Sequence, residues 1–156
     1  MKYIILFFII LKSSFLFSQS KVDSEEWIVN KYNEYERATN SEFDLNFEDG
    51  YLDYTYLNTI FRVKVKDITK IEIRQERFNS SDKEGWTSMF VYFKKGKLET
   101  KKIGDSNFEQ DYNDSFFKIL FNSDFLKDGN KNRMQKAITH LVKLYGGNAT
   151  VKKEAF

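Results

Sequence analysis

Between Phe43 and Ile103 the chain is a succession of short segments in which apolar and polar residues alternate, broken by turn residues. A period of two is the pattern of strands with one buried face, so most of the fold is expected to be antiparallel sheet. Phe43, Leu45 and Phe47 alternate with Asp44, Asn46 and Glu48. Asp49-Gly50 supplies a tight turn, and Tyr51 to Leu57 returns as the second strand of a hairpin. After Asn58-Thr59, Phe61, Val63 and Val65 alternate with Arg62 and Lys64. Ile68, Ile71 and Ile73 mark a fourth strand ending near Arg77, followed by a polar loop from Phe78 to Gly85. Trp86 to Phe93 is an aromatic-rich strand, and Lys94-Lys95-Gly96-Lys97 turns the chain into Leu98 to Ile103. Gly104 to Ser115 is polar and acidic and reads as a long loop, with a short final strand from Phe116 to Phe121.

Helical spacing frames this run on both sides. Trp27, Ile28, Tyr32 and Tyr35 share one face of a segment from Asp23 to Ala38, and Asp23 with Glu26 forms a capping box at its start. Met134, Ala137, Ile138, Leu141, Val142 and Tyr145 trace the stripe of a second helix. Asn130 is placed to cap it, and Gly146-Gly147 to end it through a left-handed turn. The expected fold is α+β: an N-terminal helix, about seven antiparallel strands in a strongly bent sheet or partial barrel, and a C-terminal helix closing one open end. No repeat or linker divides it, so residues 19–147 read as one domain and residues 148–156 as a flexible tail.

The first eighteen residues belong to a different physical class. Lys2 precedes nine unbroken apolar residues, Tyr3 to Leu11, and the small residue Ser18 offers a cleavage point. This is the layout of a secretory signal peptide, with Gln19 as the expected new N-terminus. Nine residues make a helix of roughly 14 Å, too short for roughly 30 Å of hydrocarbon, and Lys12 blocks its extension. The expected location is therefore outside the cytoplasm, periplasmic or extracellular, with no transmembrane segment after cleavage.

Removing 18 of the 156 residues leaves 23 basic and 23 acidic side chains, so the surplus of positive charge goes with the leader. Long-range attraction of nucleic acid is not indicated. The chain has no cysteine, which excludes disulfides, thiol catalysis and cysteine-ligated zinc. An exported domain without staples must depend on its core, and aromatics at 17% of the chain supply the material.

The leader, with its ending Phe17-Ser18-Gln19, resembles those of exported proteins of the Bacteroidota. Glu26-Trp27-Ile28, Asp67-Ile-Thr-Lys-Ile-Glu-Ile73 and Arg133-Met-Gln-Lys-Ala-Ile-Thr-His-Leu-Val-Lys-Leu-Tyr-Gly-Gly147 are similar to segments of small exported proteins of that group. Seven strands closed by one helix also resemble the pleckstrin-homology-like architecture. Families of this kind carry no assigned activity, so the resemblance implies a fold and a compartment and transfers no site. One fold hosts many functions, and lipid binding does not follow from the outline.

No set of residues reads as catalytic. His140 is the only histidine and lies at the edge of the second helical stripe, where an exposed or hydrogen-bonded side chain is expected. One histidine and no cysteine cannot build a usual zinc cluster, so no metal or other cofactor is expected. Asp44-x-Asn46-x-Glu48-Asp49-Gly50 is similar to a calcium loop, but its glycine is one position late and Thr55 stands where the bidentate Glu belongs. The same alternation places Asp44, Asn46 and Glu48 on the solvent face of a strand.

Two groups remain as binding candidates. Lys94, Lys95, Lys97, Lys101 and Lys102 cluster around one turn and could meet an anionic surface or a partner. Tyr51, Tyr54, Tyr56, Trp86 and Phe90 are the residues expected to line a cavity for a small apolar ligand between the sheet and the closing helix. The expected role is accordingly a non-enzymatic binding or interaction module of the bacterial envelope, with a carrier of a small apolar ligand as the alternative.

Overall fold

A computed structural model describes residues 21–36, 43–76 and 85–151 of the chain. The leader, residues 1–18, the expected new N-terminus at Gln19 and the last five residues of the tail lie outside them.

Residues 21–35 form α1, and the expected face is the buried one: Ile28 and Tyr32 are 1% and 0% exposed, with Trp27 and Tyr35 packed beside them. The helix is already formed at Lys21, so Asp23 lies inside it and is not its cap.

The alternating segments form strands β1 (Phe43–Glu48), β2 (Tyr51–Tyr56), β3 (Thr59–Lys64), β4 (Ile68–Glu76), β5 (Trp86–Phe93), β6 (Leu98–Lys102), β7 (Glu109–Asp111) and β8 (Phe116–Phe121). The first hairpin turns at Asp49-Gly50, both with positive φ, as the primed two-residue turns require.

The strands do not meander through one bent sheet. They divide into a five-stranded sheet, in the order β1-β2-β3-β6-β7, and a four-stranded sheet that contains β8, β5 and β4. Among the described residues no closed barrel forms. The switch lies in a 3₁₀ turn, Val65–Asp67, between β3 and β4. Apolar alternation runs straight through this corner, because Val63, Val65 and Ile68 are all core residues, and so it hides the change of sheet. A bulge between Ile68 and Lys70 then resets the phase, letting Ile68, Ile71 and Ile73 all face inward.

A second 3₁₀ segment, Ser123–Gly129, leads into α2 (Asn130–Leu144). Gly129 is the N-cap residue, left-handed at φ 71° directly after Asp128 at φ 57°; Asn130 is the first helical residue and is buried, so it does not cap the helix as expected. Met134, Ile138, Leu141 and Val142 are at most 2% exposed, and α2 packs chiefly on β4. Its end is a Schellman turn: Gly146 N–H donates to Lys143 O, and Gly147 N–H to Val142 O at 2.8 Å. A methyl group at Gly147 would stand 2.5 Å from the Lys66 carbonyl oxygen, so the helix end is pressed against the corner between the sheets.

The chain continues to β9 (Thr150–Val151), which pairs in parallel with β4 and completes the order β8-β5-β4-β9. The start of the expected flexible tail is thus fixed, with Ala149 7% exposed. Among the described residues, nine strands in two sheets therefore replace the expected seven in one. Among the described residues no helix is long and apolar enough to cross a membrane.

Candidate functional site

The two faces of the four-stranded sheet have different jobs. Inward, β4, β5 and β8 contribute Ile71, Ile73, Met89, Val91, Phe93, Phe117, Ile119 and Phe121 to the core. Outward, the same alternation presents Lys70, Glu72, Arg74 and Glu76 from β4 opposite Trp86, Ser88, Phe90 and Tyr92 from β5. Phe116, Lys118 and Leu120 of β8 complete that outer face.

Charges and rings interleave across it. Lys70 Nζ lies 3.8 Å from the centre of the Tyr92 ring. Arg74 and Lys118 bracket Phe90, at 4.1 and 4.9 Å. Glu72 receives a hydrogen bond from the Tyr92 hydroxyl at 3.3 Å and ion-pairs with Lys70 and Arg74. Glu76 accepts from Ser88 Oγ at 2.6 Å and pairs with Lys118 and Arg74 at 3.3 and 3.4 Å. Burial alone would push the Glu76 carboxyl up, but these donors and cations outweigh it and leave its pKa below the ordinary value.

β8 is the edge strand of this sheet, and beside it the two sheets part. Phe121 bridges to Glu36, and Asn122 N–H donates to Tyr35 O, so the end of α1 closes one part of the edge. Farther along opens a cleft of about 380 Å³, within the usual range for small-molecule sites. Tyr56 and Phe61 come from the five-stranded sheet; Trp86, Phe116, Phe117 and Leu120 come from the four-stranded one. Glu76, Lys118 and Asp114 provide its polar groups.

The structure brings together two of the expected cavity residues, Tyr56 and Trp86. Tyr54 is fully buried behind the cleft wall, stacked on Phe117 with its hydroxyl accepting from the Leu120 N–H at 3.3 Å. Phe90 lies under Arg74 and Lys118 on the outer face, and Tyr51 lies on the opposite sheet beside Arg62 and Lys64. The cleft lies between the sheets and not under α2, whose stripe is packed onto β4.

Sequence reasoning missed Phe61, Phe116, Phe117 and Leu120. A signal for three of them was present: Phe116 to Phe121 is apolar at five of its six positions, which fits a strand with apolar side chains on both faces.

The five lysines are spread along β6 and the turn before it. Lys94 ion-pairs with Asp67 at 3.0 Å, fixing that turn to the corner between the sheets. Lys97 adjoins Lys64, Lys66, Asp67 and Glu99. Lys101 and Lys102 lie at the far end, next to Asp105 and Glu109, on opposite faces of β6 and roughly 13–17 Å from Lys97. Lys95 is exposed in the turn. Acids alternate with these lysines at both ends of the strand.

His140 is exposed on α2, and Asp44, Asn46 and Glu48 are exposed on β1. On that face the best-ordered charge is Arg62, bidentate to Asp53 at 2.8 and 2.5 Å and between the rings of Tyr51 and Phe108. The Asp53 hydrogen bonds hold its pKa above the ordinary arginine value.

Comparison with models of protein families, with curated proteins and with solved structures finds no match to this chain.

Proposed function

We propose that this protein is a non-enzymatic binding module of the bacterial envelope, and that it works by taking a small, largely apolar ligand into the cleft beside β8. The observation that carries this reading is the cleft itself: a concavity of about 380 Å³ walled by five aromatic rings and Leu120 with few polar groups. Burying an aromatic-sized ligand there would remove apolar surface from water at roughly 25 cal/mol per Å², the main driving force available. Export rests on the sequence of residues 1–18, and the balanced charge of the remaining chain accords with a partner that is not a polyanion.

Trp86 makes the reading testable, because Trp27 on α1 is the only other indole. In a Trp27→Phe background, titration with the apolar fluorophore N-phenyl-1-naphthylamine is expected to give saturable energy transfer from Trp86. Leu120→Phe, which narrows the cleft without adding an indole, is expected to weaken binding while circular dichroism stays unchanged. Trp86 emission that does not respond up to the solubility limit of the probe would refute the reading.

A further inference from the structure

Resting on the cleft as a ligand site, we propose that its ligand is an organic cation: an ammonium or quaternary ammonium group carried on an apolar body. One line of support is how this chain treats its other rings. Lys70 covers Tyr92, Arg74 and Lys118 bracket Phe90, Arg62 and Lys101 stand over Phe108, and Lys21 lies 3.3 Å from the centre of Tyr145. In each case a positive group meets the negative face of a π system. Two of the cleft rings keep open surface. Tyr56 and Phe116 are 36% and 40% exposed, and among the described residues no lysine or arginine stands over Tyr56, Phe61, Phe116 or Phe117.

Charge points the same way. The Lys118 ammonium is already engaged, 3.3 Å from Glu76 and over the Phe90 ring. Asp114 is exposed at the cleft and has no ion-pair partner among the described residues. Among the described lining residues the uncompensated charge is therefore negative. Geometry adds the last element, since the rings approach from both sheets and can meet a rounded cation on more than one side. An anion would face Asp114 and Glu76, and a neutral ligand would gain apolar contact without the attraction of the ring faces.

The test titrates the full chain with benzyltrimethylammonium, benzyl alcohol and phenylacetate at low ionic strength. Affinity is read by calorimetry, and location by amide NMR shifts from Phe116 to Leu120. The ammonium is expected to bind about tenfold more tightly than the alcohol, with phenylacetate weakest. Asp114→Asn, a surface change that leaves the fold intact, is expected to weaken the ammonium about threefold or more and leave the alcohol unaffected. Phe116→Leu, which removes one ring face, is expected to weaken the ammonium more than the alcohol. Equal binding of ammonium and alcohol, tighter binding of phenylacetate, or undiminished ammonium affinity in Asp114→Asn overturns the assignment while leaving the cleft a ligand site. If none of the three probes shifts the β8 amides, the cleft reading fails and this inference with it.

Discussion

Phe90 points away from the core, yet only 2% of it reaches water. The Tyr92 and Phe116 rings flank it, and charges complete its shelter: the guanidinium of Arg74 on one side and the ammonium of Lys118 on the other, each held in place by a carboxylate. Individually such surface pairs contribute about 0–1 kcal/mol, so their value lies in keeping an apolar ring covered on an unpaired sheet face. Glu76 ties this cover together, and its depressed pKa fixes the sign of a pH effect. A carboxyl whose folded pKa lies below its ordinary 4.5 contributes stability above that value and loses it as pH falls through the folded one. Glu76→Gln is therefore expected to lower stability at pH 7 and to flatten the acid side of the stability profile below pH 4.5, measured by urea unfolding across pH. The same steepness in both chains would assign the acid limb to other carboxylates. At this scale the sequence was only partly legible. Alternation requires one of the neighbours Tyr92 and Phe93 to be a core residue, and Phe93 is that residue, but nothing local shows that Lys118, 28 positions away, covers Phe90.

Among the elements, the two helices and the strands with regular apolar alternation were legible, because a 3.6- or 2-residue period needs only local residues to declare itself. β7 was not, since Glu109-Gln-Asp111 has no apolar face and is a strand only because β6 offers it hydrogen bonds. β9 was missed for a related reason: two residues carry no period, and Thr150–Val151 is drawn to β4 by the seating of α2. The cleft was half legible. Tyr56 and Trp86 are strand aromatics visible in sequence, whereas their meeting depends on which sheets β2 and β5 join. α2 supplies the clearest energetic test at this scale. Leu141 is fully buried, so Leu141→Ala is expected to cost about 2–5 kcal/mol in chemical denaturation. A cost below about 1 kcal/mol would mean that the helix only rests on β4 and does not close the core.

For the molecule as a whole, the division into two sheets is the property that sequence concealed. Strand pairing is a non-local choice, and short apolar segments of similar character can serve several partners. Here β3 leaves β4 to pair with β6, across a corner that Asp67 and Lys94 hold closed. The chain passes from one sheet to the other at β3–β4, at β5–β6 and at β7–β8, so neither sheet is a continuous stretch of polypeptide. Loosening one sheet must pull on strands of the other, and partial unfolding has no natural seam to follow. Single-indole variants retaining Trp27 or Trp86 are therefore expected to melt at the same midpoint, coincident with circular dichroism, as a two-state transition requires. Separated midpoints would show that α1 and the four-stranded sheet come apart independently. The weave also sets the order of assembly: distant segments must meet before either sheet is complete, so this chain is expected to fold slowly for its size. Cut between β5 and β6, it would yield two fragments with incomplete sheets and exposed apolar faces, neither able to stand alone.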